Sequence, residues 1–362
     1  MARTPVHQKA DIITRGESAA LKGLGILLIA SHNLAHTLGV TGHDCNEYNF
    51  EYGSAQALFD CLAHPGPNIL LQLSTLLGYC GIYIFLFLSA FGLVRKYEQG
   101  SSKMLAPHTF VWKHYTKLFK LMIIGLLAAI LVAYCFHSPM LPNKRYWVAQ
   151  MLMVTNWIMP PYRYVFPGPF WFLGLMMELY IIYRLVLYVP RGGAAWRRWV
   201  WPLVFAIVCL APQIWFRDAG REMILLRYNF FVAGLSFSAG LLVARYGGIP
   251  RMSRWAWAAV CALMTIAFIV MQKTPVMWIF SSIVATAAMI ALVKSFGNAM
   301  MKPFVWVGGI SSFLFIMHPV VRFFALEMRG QIDNHLLMVL YMCASLLAAV
   351  AYRRLLSAIH WK

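Results

Sequence analysis

Long apolar segments follow one another along almost the whole of this chain, and they restrict its fold more than any other feature. A helix needs about 20 residues to cross the hydrocarbon core of a bilayer. Inside lipid every backbone N–H and C=O must be paired, so segments of this length form helices. Such segments lie at 20–41, 68–94, 118–136, 168–188, 199–216, 223–244, 254–272, 275–294, 303–325 and 335–354.

The composition agrees with this pattern, because 61% of the residues are hydrophobic and only 12% are charged. A soluble protein carries about twice that charged fraction. The sequence therefore predicts an all-α polytopic membrane protein with about ten transmembrane helices. The apolar segment 147–160 is too short to cross, and we expect it to be re-entrant or interfacial, anchored by Trp147 and Trp157.

The basic residues predict the orientation of these helices. Most of the 31 Lys and Arg residues fall on one side when the N-terminus is placed in the cytoplasm, as the positive-inside rule requires. This distribution explains the net charge of +19 without a nucleic-acid partner. We expect a cytoplasmic tail at 1–19, a single transmembrane domain at 20–355 and a cytoplasmic tail at 356–362. Cys45 and Cys61 share a predicted outer loop, where they either pair or remain free thiols.

Two titratable side chains are predicted near the middle of the membrane. His32 lies about 15 Å along the first helix from Lys22, and Glu178 is equally deep in the fourth. Glu178 is the only acidic residue inside a predicted span. Intramembrane titratable groups are expensive and usually functional. A carboxylate beside an imidazole fixes its tautomer and stabilises its charged form. The alternative is that Glu178 makes a structural hydrogen bond between helices.

Two further histidines are predicted in the outer third of the membrane. His36 follows His32 by one helical turn, and His318 precedes Pro319 in the ninth helix. We expect His36 and His318 to share an outer vestibule, where acceptor binding and structural packing are equally open. The His32–His36 spacing suits zinc, but no third ligand is evident, and no metal site is predicted.

Lysines form a stripe at the cytoplasmic start of the third helix. Lys113, Lys117 and Lys120 recur at helical spacing, and Lys22 is expected near the same membrane plane. They either face lipid headgroups or hold the phosphates of a cytosolic cofactor.

Five segments, taken in order, resemble the acyltransferase 3 family of membrane-bound bacterial acyltransferases. The first, LKGLGILLIASHNLAH, resembles its first helix, which usually begins with arginine and has ten residues before its histidine. Here lysine replaces the arginine and Asn33 occupies the usual histidine position, so both His32 and His36 are candidates for the base. The other four segments are FLFLSAFGLVRKY, FVWKHYTKLFKL, PFWFLGLMMELYIIYRL and ISSFLFIMHPVV.

The resemblance implies transfer of acetyl from cytosolic acetyl-CoA to a hydroxyl of a cell-surface or lipid-linked saccharide, in the bacterial cytoplasmic membrane. His32 or His36 would act as base, with Glu178 orienting it. Lys22 and the lysine stripe would bind the CoA phosphates. The predicted acceptor side comprises Asn33, Trp171, Tyr162, His318 and Arg322. The alternative is a proton-coupled transporter of a glycan or lipid-linked glycan, although the sequence shows no inverted repeat.

Overall fold

A computed structural model describes residues 13–43, 46–100, 104–137, 146–190, 192–247 and 252–359, and only the backbone of Tyr162. These residues are helical, apart from connecting turns and one isolated bridge between Arg329 and Ile332. The α-helices are α1 (Arg15–Leu38), α2 (Tyr52–Ala63), α3 (Ile69–Leu77), α4 (Gly81–Leu93), α5 (Pro107–Cys135), α6 (Trp147–Met151), α7 (Trp171–Ile182), α8 (Arg197–Trp215), α9 (Gly220–Tyr228), α10 (Gly234–Tyr246), α11 (Arg254–Met271), α12 (Pro275–Ser295), α13 (Asn298–Gly309), α14 (Ser311–Glu327) and α15 (Asn334–Ala358).

The predicted all-α polytopic architecture is confirmed. Within the described ranges, eight helical segments are long and apolar enough to span a membrane, and two bent pairs raise the number to ten. The bent pairs are α9 with the helix that follows it, at 73°, and α13 with α14, at 71°. They correspond to the predicted spans 223–244 and 303–325. The cytoplasmic placement of both termini and the domain boundaries stay predictions.

One helix boundary differs from the expectations, and the connections between the spans contain further helices. The helix α5 begins at Pro107, whereas the predicted span begins at residue 118. Proline is favoured at the first position of a helix, where its missing N–H needs no partner. The helix α2 lies within the predicted outer loop between the first two spans. The segment 147–160 forms only the short helix α6 and a 3₁₀ turn at Thr155–Trp157. Cys45 lies outside the described residues, and Cys61 is a free thiol.

The helix α1 is the centre of the packing, and glycines allow its neighbours to approach it closely. A Cβ on Gly23 would overlap the Phe304 carbonyl of α13. A Cβ on Gly81 of α4 would overlap the Gly25 carbonyl of α1. The hydrophobic effect does not hold helices together in lipid. Small residues favour association there because they allow close van der Waals contact between helix backbones.

The sequence places only Glu178 among the acidic residues inside a predicted span. The structure buries two further carboxylates. Glu47 is 5% exposed and Glu98 is 7% exposed. Glu98 accepts from Arg245 at 2.7 Å, and this pairing offsets the cost of burying both charges. Glu47 is buried because the segment after α1 folds back into the helix bundle, where Arg227 donates to the Glu47 carbonyl. A hydropathy profile does not predict the burial of Glu98 and Glu47, because the residues that pair with them are distant in sequence.

Arg227, in α9, anchors that returning segment and also contacts α4, α8 and α12. Its side chain is 2% exposed and also donates to Gln213 at 2.8 Å and to the Tyr83 hydroxyl at 3.0 Å. Its guanidinium lies 4.1 Å from the centroid of the Trp278 ring. The loop that follows α1 is therefore held in one position, against the ends of α4, α8 and α12.

Candidate active site

Two cavities lie one after the other along α1. We call the first the lysine cavity, because Lys22, Lys117 and Lys120 line it; its volume is about 610 Å³. The second is the histidine cavity, which is lined by His32 and His36 and has a volume of about 460 Å³. Ile29, Phe172 and Phe315 line both cavities and form an apolar partition between them.

The ring of His32 is oriented by backbone carbonyls of α3. Its Nδ1 lies 3.0 Å from the Thr75 carbonyl oxygen and 3.3 Å from that of Ser74. A carbonyl only accepts, so Nδ1 carries the proton and the lone pair of the neutral ring is on Nε2. This tautomer is the one that a general base needs when Nε2 receives the proton.

Gly78 allows this contact between α1 and α3. A Cβ at Gly78 would lie 2.7 Å from the Cβ of His32 and 2.8 Å from the Leu28 carbonyl oxygen. At the same point α3 gives way to a 3₁₀ turn at Gly78–Cys80, and such a turn changes the hydrogen bonding of the carbonyls before it. Glycine and the change of helix type together bring the Thr75 carbonyl to the imidazole.

Glu178 does not orient His32, and that expectation is corrected. Its Oε2 accepts from the Phe230 N–H at 2.7 Å, at the break between α9 and α10, and it lines neither cavity. Helix termini leave N–H groups without intrahelical partners, and an acceptor side chain satisfies one of them. Glu178 thus makes the structural hydrogen bond that was the alternative interpretation.

The two outer histidines have different surroundings. His36 stacks on His32 with ring centroids 5.3 Å apart and lines the histidine cavity. His318 is fully enclosed, with Nδ1 3.0 Å from the Leu314 carbonyl oxygen, and it lines neither cavity. The expected common vestibule of His36 and His318 is therefore corrected, since the face of α14 that bears His318 packs within the bundle.

Asn33, Trp171 and Arg322, which were predicted on the acceptor side, do line the histidine cavity. Arg322 donates through Nη1 to the backbone oxygen and to Oδ1 of Asn33, at 3.1 and 3.0 Å. Tyr162 lies next to Pro161, and its side chain is outside the described part of the structure.

The sequence did not indicate the loop residues that complete this cavity. Glu47, Tyr48 and Glu51 line it, from the segment that returns after α1. Tyr48 stacks on Tyr228 with centroids 4.0 Å apart and meets Trp171 edge-on at 5.3 Å. Burial and then the Glu47 carboxylate raise the pKa of Tyr48 well above its ordinary range, so its hydroxyl remains a donor. The dense run of amides, acids and aromatics in NEYNFEY was the available signal.

The lysine cavity collects most of the predicted basic stripe. Lys22 and Lys117 are close enough to repel each other, and none of the described residues that line this cavity is acidic. Ser311 and Ser312, from the first turn of α14, also line it. Lys113 is exposed outside the cavity, which corrects its expected membership of the group. In the part of the chain that is described, no group of three or more His, Cys, Asp or Glu is arranged to hold a metal.

Comparison with known proteins gives one match. The sequence profile of a family described as an acyltransferase domain matches residues 18–354, nearly the whole chain. No curated protein and no solved structure match it.

Proposed function

The chain belongs to the acyltransferase family, and from that premise we propose that it transfers acetyl from cytosolic acetyl-CoA to a hydroxyl of a cell-surface or lipid-linked saccharide. The protein is a multi-pass membrane acyltransferase. We place it in the bacterial cytoplasmic membrane, with the lysine cavity facing the cytosol. Family membership favours this function over the transport of a glycan.

One observation carries the proposal: a basic cavity and a histidine cavity meet at the same three side chains, Ile29, Phe172 and Phe315. The lysine cavity suits the phosphates of CoA, because Lys22, Lys117 and Lys120 line it and its described lining contains no carboxylate. The wall of the lysine cavity formed by Ile29, Phe172 and Phe315 is apolar. It suits the uncharged acyl end of a thioester.

The histidine cavity suits a saccharide acceptor. The aromatic faces of Trp171 and Tyr48 offer stacking surfaces for sugar rings, and Asn46 and Glu51 offer hydrogen bonds to hydroxyl groups. His32 acts as the base that takes the proton of the attacking hydroxyl. Its Nδ1–H bond to the Thr75 carbonyl supports this role, because it keeps the lone pair on Nε2.

The test is acetyl-CoA turnover by the purified protein in detergent, with free CoA measured by chromatography and short oligosaccharides as trial acceptors. We expect His32→Ala to lower turnover by about 10²–10⁴-fold and to keep the thermal transition of the parent protein. His36→Ala should lose less. If turnover were lost in His36→Ala and kept in His32→Ala, His36 would be the base. A parent protein that neither binds nor consumes acetyl-CoA would refute the proposed donor.

A further inference from the structure

We propose that Arg322 is the oxyanion-stabilising residue of this reaction: its guanidinium binds the negative charge that develops on the acyl carbonyl oxygen during transfer. The inference rests on the proposed function, because it assigns a catalytic role within the histidine cavity. Arg322 is a cationic side chain that forms no ion pair with any carboxylate of the described residues.

Arg322 is held at the level of His32 by Asn33, the next residue of α1. Only its Nη1 is used for this contact, with the two oxygens of Asn33 at 3.1 and 3.0 Å. Asn33 is itself fixed, since its Nδ2 donates to the Ile29 carbonyl at 2.9 Å and its Oδ1 is thereby turned toward Arg322. The contact positions the guanidinium without neutralising it.

The charge of Arg322 has no carboxylate partner within the described ranges, although its side chain lies inside the helix bundle. Nε and Nη2 likewise have no acceptor there. A cation in the membrane interior is costly, and such residues usually pair with another charge or serve a ligand. The missing negative charge is therefore expected from the bound reactants.

The rest of the cavity favours a transient negative charge over a permanent one. Glu47 and Glu51 line the same cavity, and they would repel an acceptor that already carries a carboxylate or phosphate. An oxyanion arises only while the acyl group is being transferred. A fixed guanidinium that meets it then lowers the barrier without holding the substrate too tightly.

The step is an ordinary acyl substitution. The acceptor hydroxyl oxygen forms a bond to the thioester carbonyl carbon, and its proton passes to Nε2 of His32. The carbonyl π electrons move onto the oxygen, which faces Arg322 as an oxyanion. When that oxygen re-forms its double bond, the carbon–sulfur bond breaks, and the departing sulfur of CoA takes the proton from the imidazolium. The products are the ester and free CoA.

The experiment separates this role from substrate binding and from helix tethering. We expect Arg322→Ala to lower kcat by about 10²–10³-fold while KM for acetyl-CoA and for the acceptor stays within about twofold. Added guanidinium ion should restore part of kcat to Arg322→Ala and none to His32→Ala. Arg322→Lys keeps the charge and should lose less. Arg329→Ala removes an exposed arginine beyond the end of α14 and serves as the matched control.

Three results would overturn the inference. A raised KM for the acceptor with kcat unchanged would make Arg322 a recognition site for an anionic substrate. Loss of the folded protein in both Arg322→Ala and Arg322→Lys, or the same loss of kcat without guanidinium rescue, would make it a tether between α14 and α1. Failure of the proposed function is distinct, because the parent protein would then show no acetyl-CoA turnover at all.

Discussion

At the scale of the residue, Nδ1 of His32 lies against a backbone carbonyl, where the sequence indicated the carboxylate of Glu178. Counting residues along a helix predicts depth, and His32 and Glu178 do lie within the helices α1 and α7. Depth does not give the direction in which a side chain points around the helix axis. Glu178 points to the break before Phe230, and the Thr75 carbonyl has no signature in the sequence because every residue has a carbonyl.

Glu178 gives a prediction that distinguishes a structural acceptor from a charged catalytic partner. In Glu178→Gln the amide oxygen can still accept from the Phe230 N–H, so we expect turnover and thermal stability close to those of the parent protein. In Glu178→Leu that N–H loses its partner, and the free energy of unfolding should fall by about 1–3 kcal/mol. Thermal unfolding and CoA release, measured on both variants, check this. A large loss of turnover in a stable Glu178→Gln protein would restore its catalytic role.

At the scale of the element, hydropathy predicted every span, but not the bends within two of them. The segments 223–244 and 303–325 read as continuous helices, because apolar composition does not record a change of direction. The bends depend on tertiary contacts such as the Phe230 N–H with Glu178, which join distant parts of the chain. Breaks of this kind are tolerated in a membrane where neighbouring groups satisfy the freed backbone.

The crossing of α1 and α3 gives the second prediction. Gly78→Ala would force α3 away from His32, since the new Cβ would lie 2.7 Å from the Cβ of His32. A misplacement of about 1 Å at a catalytic group costs about 10²-fold, so we expect kcat to fall by about that factor. Gly92→Ala is the control in α4, because a Cβ there meets no atom within 4 Å. Equal turnover in the two variants would contradict the positioning of His32 by this crossing.

At the scale of the whole molecule, the two cavities separate the lysines from the carboxylates Glu47 and Glu51. Of the residues that the sequence predicted for the site, Lys22, Lys117 and Lys120 line one cavity and His32, His36 and Arg322 line the other, whereas Lys113 and His318 line neither. The sequence prediction missed Glu47 and Tyr48, because a loop that folds back into a helix bundle resembles any exposed polar loop in hydropathy. The Arg227 network that holds this loop joins residues far apart in sequence.

The lysine cavity gives the third prediction, with a control from the same stripe. Lys117→Gln and Lys120→Gln should each raise KM for acetyl-CoA by about fivefold, equivalent to about 1 kcal/mol, and leave kcat unchanged. The effect should shrink at high salt, which screens partly exposed charges. Lys113→Gln, outside the cavity, should match the parent protein. The KM for acetyl-CoA, measured at two salt concentrations, checks this prediction. If all three variants kept the KM of the parent protein, the donor site would lie elsewhere.

The thin partition between the cavities has an electrical consequence. Lys22, Ile29 and His36 follow one another along α1 at intervals of about 10 Å, with the partition at Ile29. The proposed orientation requires the two cavities to open to opposite sides of the membrane, and most of the membrane voltage would then fall across this layer. A phosphate group would then exchange about 2.3 kcal/mol of electrical work per charge per 100 mV on passing it, whereas an acetyl group is uncharged and exchanges none. In that orientation, the proposed outward transfer of an acetyl group would move no net charge across the membrane.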